Sequence, residues 1–183
     1  MTLNSISGRF ALLTIVFVLL AEVLILVPSV TGFRRDYLAT RLERAQIASL
    51  ALLATDESIA ADLESELLEN AGVFNVVLRR DDVRQLVLSS KLPRPISATY
   101  DLRETGWPRA VRDTLHDLVN ARPEIIRVIG QPVRQAGQLI EITMDTAPMR
   151  TAMIDFTLRL LAVSAAFSVL TALLLNQIGR ASC

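Results

Sequence analysis

The chain has 183 residues, 51% of them hydrophobic, and its 19 basic residues are balanced by 19 acidic ones. A mean hydropathy of +0.41 is too high for an ordinary soluble domain, while the length leaves room for one domain plus membrane-spanning stretches. The absence of net charge argues against a nucleic-acid or polyanion partner, which would need a field of one sign. The single cysteine, Cys183, excludes an intrachain disulfide.

In chain order, the apolar block from Phe10 to Val30 is long enough as a helix to cross a hydrocarbon core of roughly 30 Å. Glu22 lies near its centre and costs about 3 kcal/mol if ionised there. Fifteen Leu, Ile, Val and Phe residues in the same block outweigh it. A cleaved signal peptide is the rival reading, but the apolar run exceeds the usual length of about 7–15 residues and no A-x-A site follows.

Phe33 to Leu53 has no helix breaker, and Leu38, Leu42, Ala45, Ser49 and Leu52 form one seam at alternating spacings of four and three. Such a seam either pairs with its twin in a parallel dimer or packs on its own domain; two heptads fall short of the roughly three to four that would decide. Thr55 is expected to cap a second helix, with Asp56 and Glu57 in the first turn and Ile59, Leu63 and Leu67 on the buried face. Gly72 ends that helix. Val73 to Leu78 and Val83 to Leu88 then read as a hairpin.

From Ser90 to Gly106 the periodicity disappears around Pro93 and Pro95, which predicts a long loop. Thr105 to Pro108 reads as a helix entry, with Val111, Leu115, Leu118 and Val119 on one face and Pro123 beyond the end. A second hairpin pairs Ile125 to Gly130 with Gln138 to Met144 around Ala136 and Gly137. The second apolar block, Leu160 to Ile178, holds no charged residue and is flanked by Arg159 and Arg180.

These elements describe an α+β membrane protein: two transmembrane helices bracketing a small domain built on an antiparallel sheet. The expected divisions are an N-terminal tail over 1–9, a first span over 10–30, the domain over 31–150, a second span over 154–178 and a stub over 179–183. Charge does not orient it. Arg34 and Arg35 beyond the first span oppose the positive-inside rule, yet long loops translocate largely regardless of charge. The domain holds 16 basic and 17 acidic residues, a difference of minus one.

The stretch from Leu20 through Glu22 to Pro28-Ser29, followed by Phe33, Arg34, Tyr37, Leu38, Arg41 and Leu42, resembles the N-terminal segment of proteobacterial transmembrane sensor histidine kinases. Arg127 to Gly130, Ile140 to Ile142 and Pro148 to Arg150 are similar to the closing strands of that family's sensor domain. The resemblance implies a PAS/PDC-like mixed α/β sensor in the periplasm, both termini in the cytoplasm and a homodimer in the bacterial inner membrane. It further implies a signal-input module for a protein histidine kinase, whose linker, phosphoacceptor helix and ATP-binding domain are missing after Ile178. The input module of another receptor class, or a stand-alone two-span adaptor, would share these features.

The candidate residues fall in two groups. Glu22, with Ser164, Ser168 and Thr171 of the second block as hydrogen-bonding partners, is a candidate for helix packing or signalling within the membrane. Tyr100, Arg103 and Trp107 are candidates for the border of a ligand pocket, set against the plainer reading of a surface loop. His116-Asp117-Leu118 is superficially similar to a phosphoacceptor box, but the next proline stands seven residues on, farther than in the family's box. His116 is instead expected to face solvent. No catalytic, cofactor-binding or metal-ligating residue is assigned, and no nucleotide-binding or hydrolase motif occurs.

Overall fold

The structure, a computed structural model, describes residues 6–53, 61–80, 83–132 and 139–181, with side chains described over 12–51, 64–78, 88–132 and 139–171. The chain begins with α1 (Ile6–Leu53), whose 48 residues correspond to about 72 Å of helix, more than twice the depth of a hydrocarbon core. α1 passes through Pro28 without a break. Proline removes one backbone donor there, and two hydroxyls one turn on bond the neighbouring carbonyls: Ser29 Oγ donates to Ile25 O and Thr31 Oγ1 to Val27 O, both at 2.7 Å.

α2 (Ala61–Ala71) follows, and Gly72 ends it at φ +67°, in the left-handed region. Gly72 N–H donates to Glu69 O and Val73 N–H to Leu68 O, and Arg41 Nη1 donates to Ala71 O at 3.0 Å, so the end of α2 is tied to α1. The expected cap at Thr55, with Asp56, Glu57 and Ile59, lies outside the described residues, as does the turn at Ala136 and Gly137.

Five strands make one sheet: β1 (Asn75–Arg80), β2 (Val83–Ser89), β3 (Ile96–Asp101), β4 (Ile125–Gly130) and β5 (Leu139–Asp145), in the order β2-β1-β5-β4-β3. A row of buried or half-buried side chains, Leu88, Val76, Ile142, Val128 and Tyr100, crosses all five strands in register. β1 and β2 form the predicted first hairpin, and in β5 Ile140, Ile142 and Met144 are buried as the alternation required.

Two expectations are corrected. The loop from Ser90 to Gly106 contains a strand, β3, which pairs parallel with β4, so the sheet is mixed and not antiparallel throughout. The connection that permits a parallel pair is α3 (Trp107–Val119), a helical crossover from β3 to β4. β3 escaped notice because its half-buried residues Ile96, Ala98 and Tyr100 include a weak apolar side chain and follow two prolines; an edge strand tolerates that composition.

The last element, α4 (Thr146–Ala181), starts at the residue after β5. Asp145 Oδ1 accepts from Ala147 N–H at 2.8 Å, and Thr146 exchanges backbone and hydroxyl bonds with Glu124, so strand and helix meet in a pinned corner. The helices cover one sheet face, where Leu38, Leu42 and Ala45 of α1 and Met149 and Met153 of α4 join the sheet's apolar side chains in the core. The α1 seam is thereby spent inside its own domain: Leu38, Ala45 and Ser49 are fully buried and Leu42 nearly so. Beyond the domain α1 and α4 both continue as helices long and apolar enough to cross a membrane. They are joined at their base by Phe33 stacked on Phe156, ring centroids 4.5 Å apart.

Candidate functional site

The chemistry of the domain concentrates where α1 leaves the apolar segment. Arg34, one turn past Val30, is buried, and its Nε donates to Asp117 Oδ2 of α3 at 2.6 Å, with both side chains about 5% exposed. The guanidinium also lies 4.5 Å from the centroid of the Tyr100 ring. Arg34 Nη2 is the one buried side-chain polar atom without a hydrogen-bond partner among the described residues. A buried donor left unpaired costs about 1–3 kcal/mol, so this one is held against a penalty that an acceptor on a bound solute would relieve.

α3 is built to meet this arginine. Gly106 caps it in extended conformation and Pro108 occupies its first turn, where the missing N–H is no loss. Its most buried residues are polar, Asp113, Thr114 and Asp117; of the predicted apolar stripe Leu118 packs against the core and Val111 is half-buried, while Leu115 and Val119 are exposed. Arg34 determines this orientation, because a buried guanidinium requires a paired carboxylate more strongly than two apolar side chains require cover. His116 is exposed as expected, although Leu115 beside it in the stripe is exposed too, and its Nδ1 lies 3.6 Å from Asp117 Oδ1.

Tyr100 and Trp107 line a cavity of about 190 Å³ with Thr31, Arg34, Arg35 and Thr105. Its lining charges are two arginines with no carboxylate, and its size suits a small solute rather than the roughly 300–1,000 Å³ typical of larger ligands. The Tyr100 phenol is held above its ordinary value, first by burial and then by the nearby Asp117 carboxylate, with Arg34 opposing. Arg103 does not join this cavity. It forms a two-pronged pair with Asp101, at 3.0 and 2.7 Å, and lines a separate hollow beside Glu43 and Gln46. The Arg103 hydrogen bonds hold the Asp101 carboxyl below the usual aspartate value.

Arg34 and Asp117, the pair at the centre, were not singled out from sequence. They are 83 residues apart and no local pattern joins them. The available signal was on α3, where Asp113, Thr114 and Asp117 form a polar stripe beside the apolar one.

Glu22, Ser164, Ser168 and Thr171 come together in the second location, a cleft of about 630 Å³ between α1 and α4 that is otherwise lined by apolar side chains such as Leu26, Leu160 and Phe167. Two of the three hydroxyls are satisfied within their own helix: Ser168 Oγ donates to Ser164 O and Thr171 Oγ1 to Phe167 O. Among the described residues, no hydrogen bond joins Glu22 to them. No group of three or more His, Cys, Asp or Glu placed to hold a metal ion occurs among the described residues. No family model, curated protein or solved structure matches the chain.

Proposed function

We propose that this chain is the signal-input module of a membrane receptor of the sensor histidine kinase type, with a PAS/PDC-like domain on the periplasmic side of the bacterial inner membrane. The observation that carries the reading is mechanical continuity. α1 runs unbroken from the apolar segment to the domain core, and α4 leaves the sheet at the residue after β5. A solute in the Arg34 cavity, or a change at the domain surface, then shifts the balance between two arrangements of the paired helices.

In this reading the module works as a homodimer, and its interface uses surfaces other than the buried seam. Among the described residues, Ile47 and Leu50 are exposed large apolar side chains on the part of α1 that turns away from the core and are available for it. The Glu22 cleft then serves helix packing, where a polar group at membrane depth restricts how the two spans slide.

The test is a chimera in which residues 1–181 are joined to the linker and kinase of a characterised receptor, with a reporter gene as output. Asp117→Asn and Phe156→Ala are expected to shift reporter output, normalised to the amount of chimera in the membrane, by severalfold in either direction. Output indifferent to both substitutions, at normal membrane levels, would contradict the input-module reading and favour a two-span adaptor.

A further inference from the structure

α3 has three distinct faces. The first, Asp113, Thr114 and Asp117, is buried on the α1 side. The second is apolar: Trp107, Val111, Leu115 and Val119 recur every four residues, and Trp107, Leu115 and Val119 are 55%, 47% and 82% exposed. The third carries exposed Arg109, Arg112 and His116. Both acids of the helix are buried, with Asp113 Oδ1 3.5 Å from Arg112 Nη2 and Asp117 on Arg34, so the exposed surface of α3 is apolar and basic.

The position of α3 gives this pattern a meaning. Asp117 is anchored to Arg34, four residues beyond Val30 and therefore about 6 Å along α1 from the apolar block. At the same end of α3, Arg150 Nε of α4 donates to the neighbouring Leu118 O at 3.2 Å, and at the other end Trp107 lines the small cavity with Thr31 of α1. The C-terminal end of α3 is thus held by both long helices and its N-terminal end lies beside Thr31 of α1, within about a turn or two of where those helices would enter a bilayer.

We propose that α3 is an interfacial helix whose Trp107, Leu115 and Val119 stripe rests in the headgroup layer of the bilayer, with Arg109 and Arg112 meeting anionic lipid headgroups. The proposal rests on the membrane-spanning reading of α1 and α4. An amphipathic helix with a basic face is the form that binds at this depth, and tryptophan is the side chain enriched there. The bilayer is also the apolar medium continuous with the exposed apolar surfaces of α1 and α4, where Leu24 and Phe167 are 72% and 65% exposed. A second copy is the weaker occupant, because a two-fold contact through this face would set Arg109 against its twin, and the one acid near the basic face, Asp113, is already taken by Arg112.

Trp107 is the chain's only tryptophan, so its emission is the readout. The whole chain is placed in lipid nanodiscs, whose two faces are both open to solvent, with brominated acyl chains and a fraction of anionic lipid. The expected result is a blue-shifted emission, weak quenching by iodide, and stronger loss with bromines near the headgroup than with bromines at mid-bilayer, at the depth of about 5–10 Å where such helices lie. Leu115→Glu combined with Val119→Glu should raise iodide quenching and lower lipid quenching with unchanged helicity, and Arg109→Gln should weaken the dependence on anionic lipid. Strong iodide quenching without lipid quenching overturns the proposal, as does protection from both quenchers, which would place a second copy or another protein on the stripe. Equal lipid quenching in purely zwitterionic discs would overturn the anionic-headgroup part. A chain that does not co-elute with the discs fails the spanning reading itself and takes this proposal with it.

Discussion

Along α1, the segment from Leu12 to Ile25 keeps its large apolar side chains outward, whereas from Val30 to Ser49 the apolar side chains of the seam turn inward onto sheet and helices. Both stretches are the same helix, and the second carries a charged outer face that the first lacks. The difference teaches where apolar cover comes from: the chain's own core supplies it for the second stretch, and nothing among the described residues supplies it for most of the first. At the junction sit Arg34 and Asp117, a charged pair that apolar surroundings would not accept unpaired.

The junction pair should give the largest effect. Asp117→Ala leaves the Arg34 charge buried without its partner and should cost about 3–5 kcal/mol, read as a lowered melting temperature of the domain in detergent. Adding Arg34→Met should recover most of that loss, since an apolar side chain of similar length needs no counter-charge there. A single substitution without effect would show that the junction is wetter than its burial implies.

Next comes the direct contrast between the two stretches. Leu38→Ala should destabilise the domain by about 2–5 kcal/mol, because Leu38 has no exposed surface. Leu24→Ala, in the outward-facing stretch, should leave the melting transition of the domain in place. Equal effects in the same circular-dichroism melt would erase the distinction. Gly72→Ala should cost about 1–2 kcal/mol, for an L side chain at φ +67° is strained and its Cβ would meet the Arg41 guanidinium.

The smallest effect belongs to the exposed Asp101 and Arg103 pair. Its folded-state value lies below the unfolded one, so the pair stabilises the domain at and above the ordinary aspartate value of about 4 and loses that contribution as pH falls through the depressed value. Asp101→Asn should therefore flatten the acid limb of a plot of melting temperature against pH and leave the neutral region nearly unchanged. A large loss at neutral pH would mean that the pair carries more than a surface contact does.

Much of the fold was legible because its signals are local. The two apolar blocks, the Gly72 stop, the first hairpin and the entry of α3 at Trp107-Pro108 each follow from a few neighbouring residues. What stayed hidden depends on partners distant in sequence. β3 gains its identity from pairing with β4 across the α3 crossover, and the choice of a buried face on α3 belongs to Arg34, 83 residues from Asp117. The candidate residues divide the same way: the Glu22 group, placed by helix periodicity, meets in one cleft, while Tyr100, Arg103 and Trp107, neighbours in sequence, are split between two hollows.

The central proposal is that α1 and α4 cross one bilayer and hold the domain on the far side from both termini. Labelling of a Thr99→Cys variant with a membrane-impermeant maleimide tests it most directly, since Thr99 is exposed on β3 and Cys183 is the chain's own cysteine. The expected result is modification at position 99 in intact cells, with Cys183 reacting only after the inner membrane is permeabilised. Equal labelling of both positions in intact cells, or protection of position 99 until permeabilisation, would contradict it.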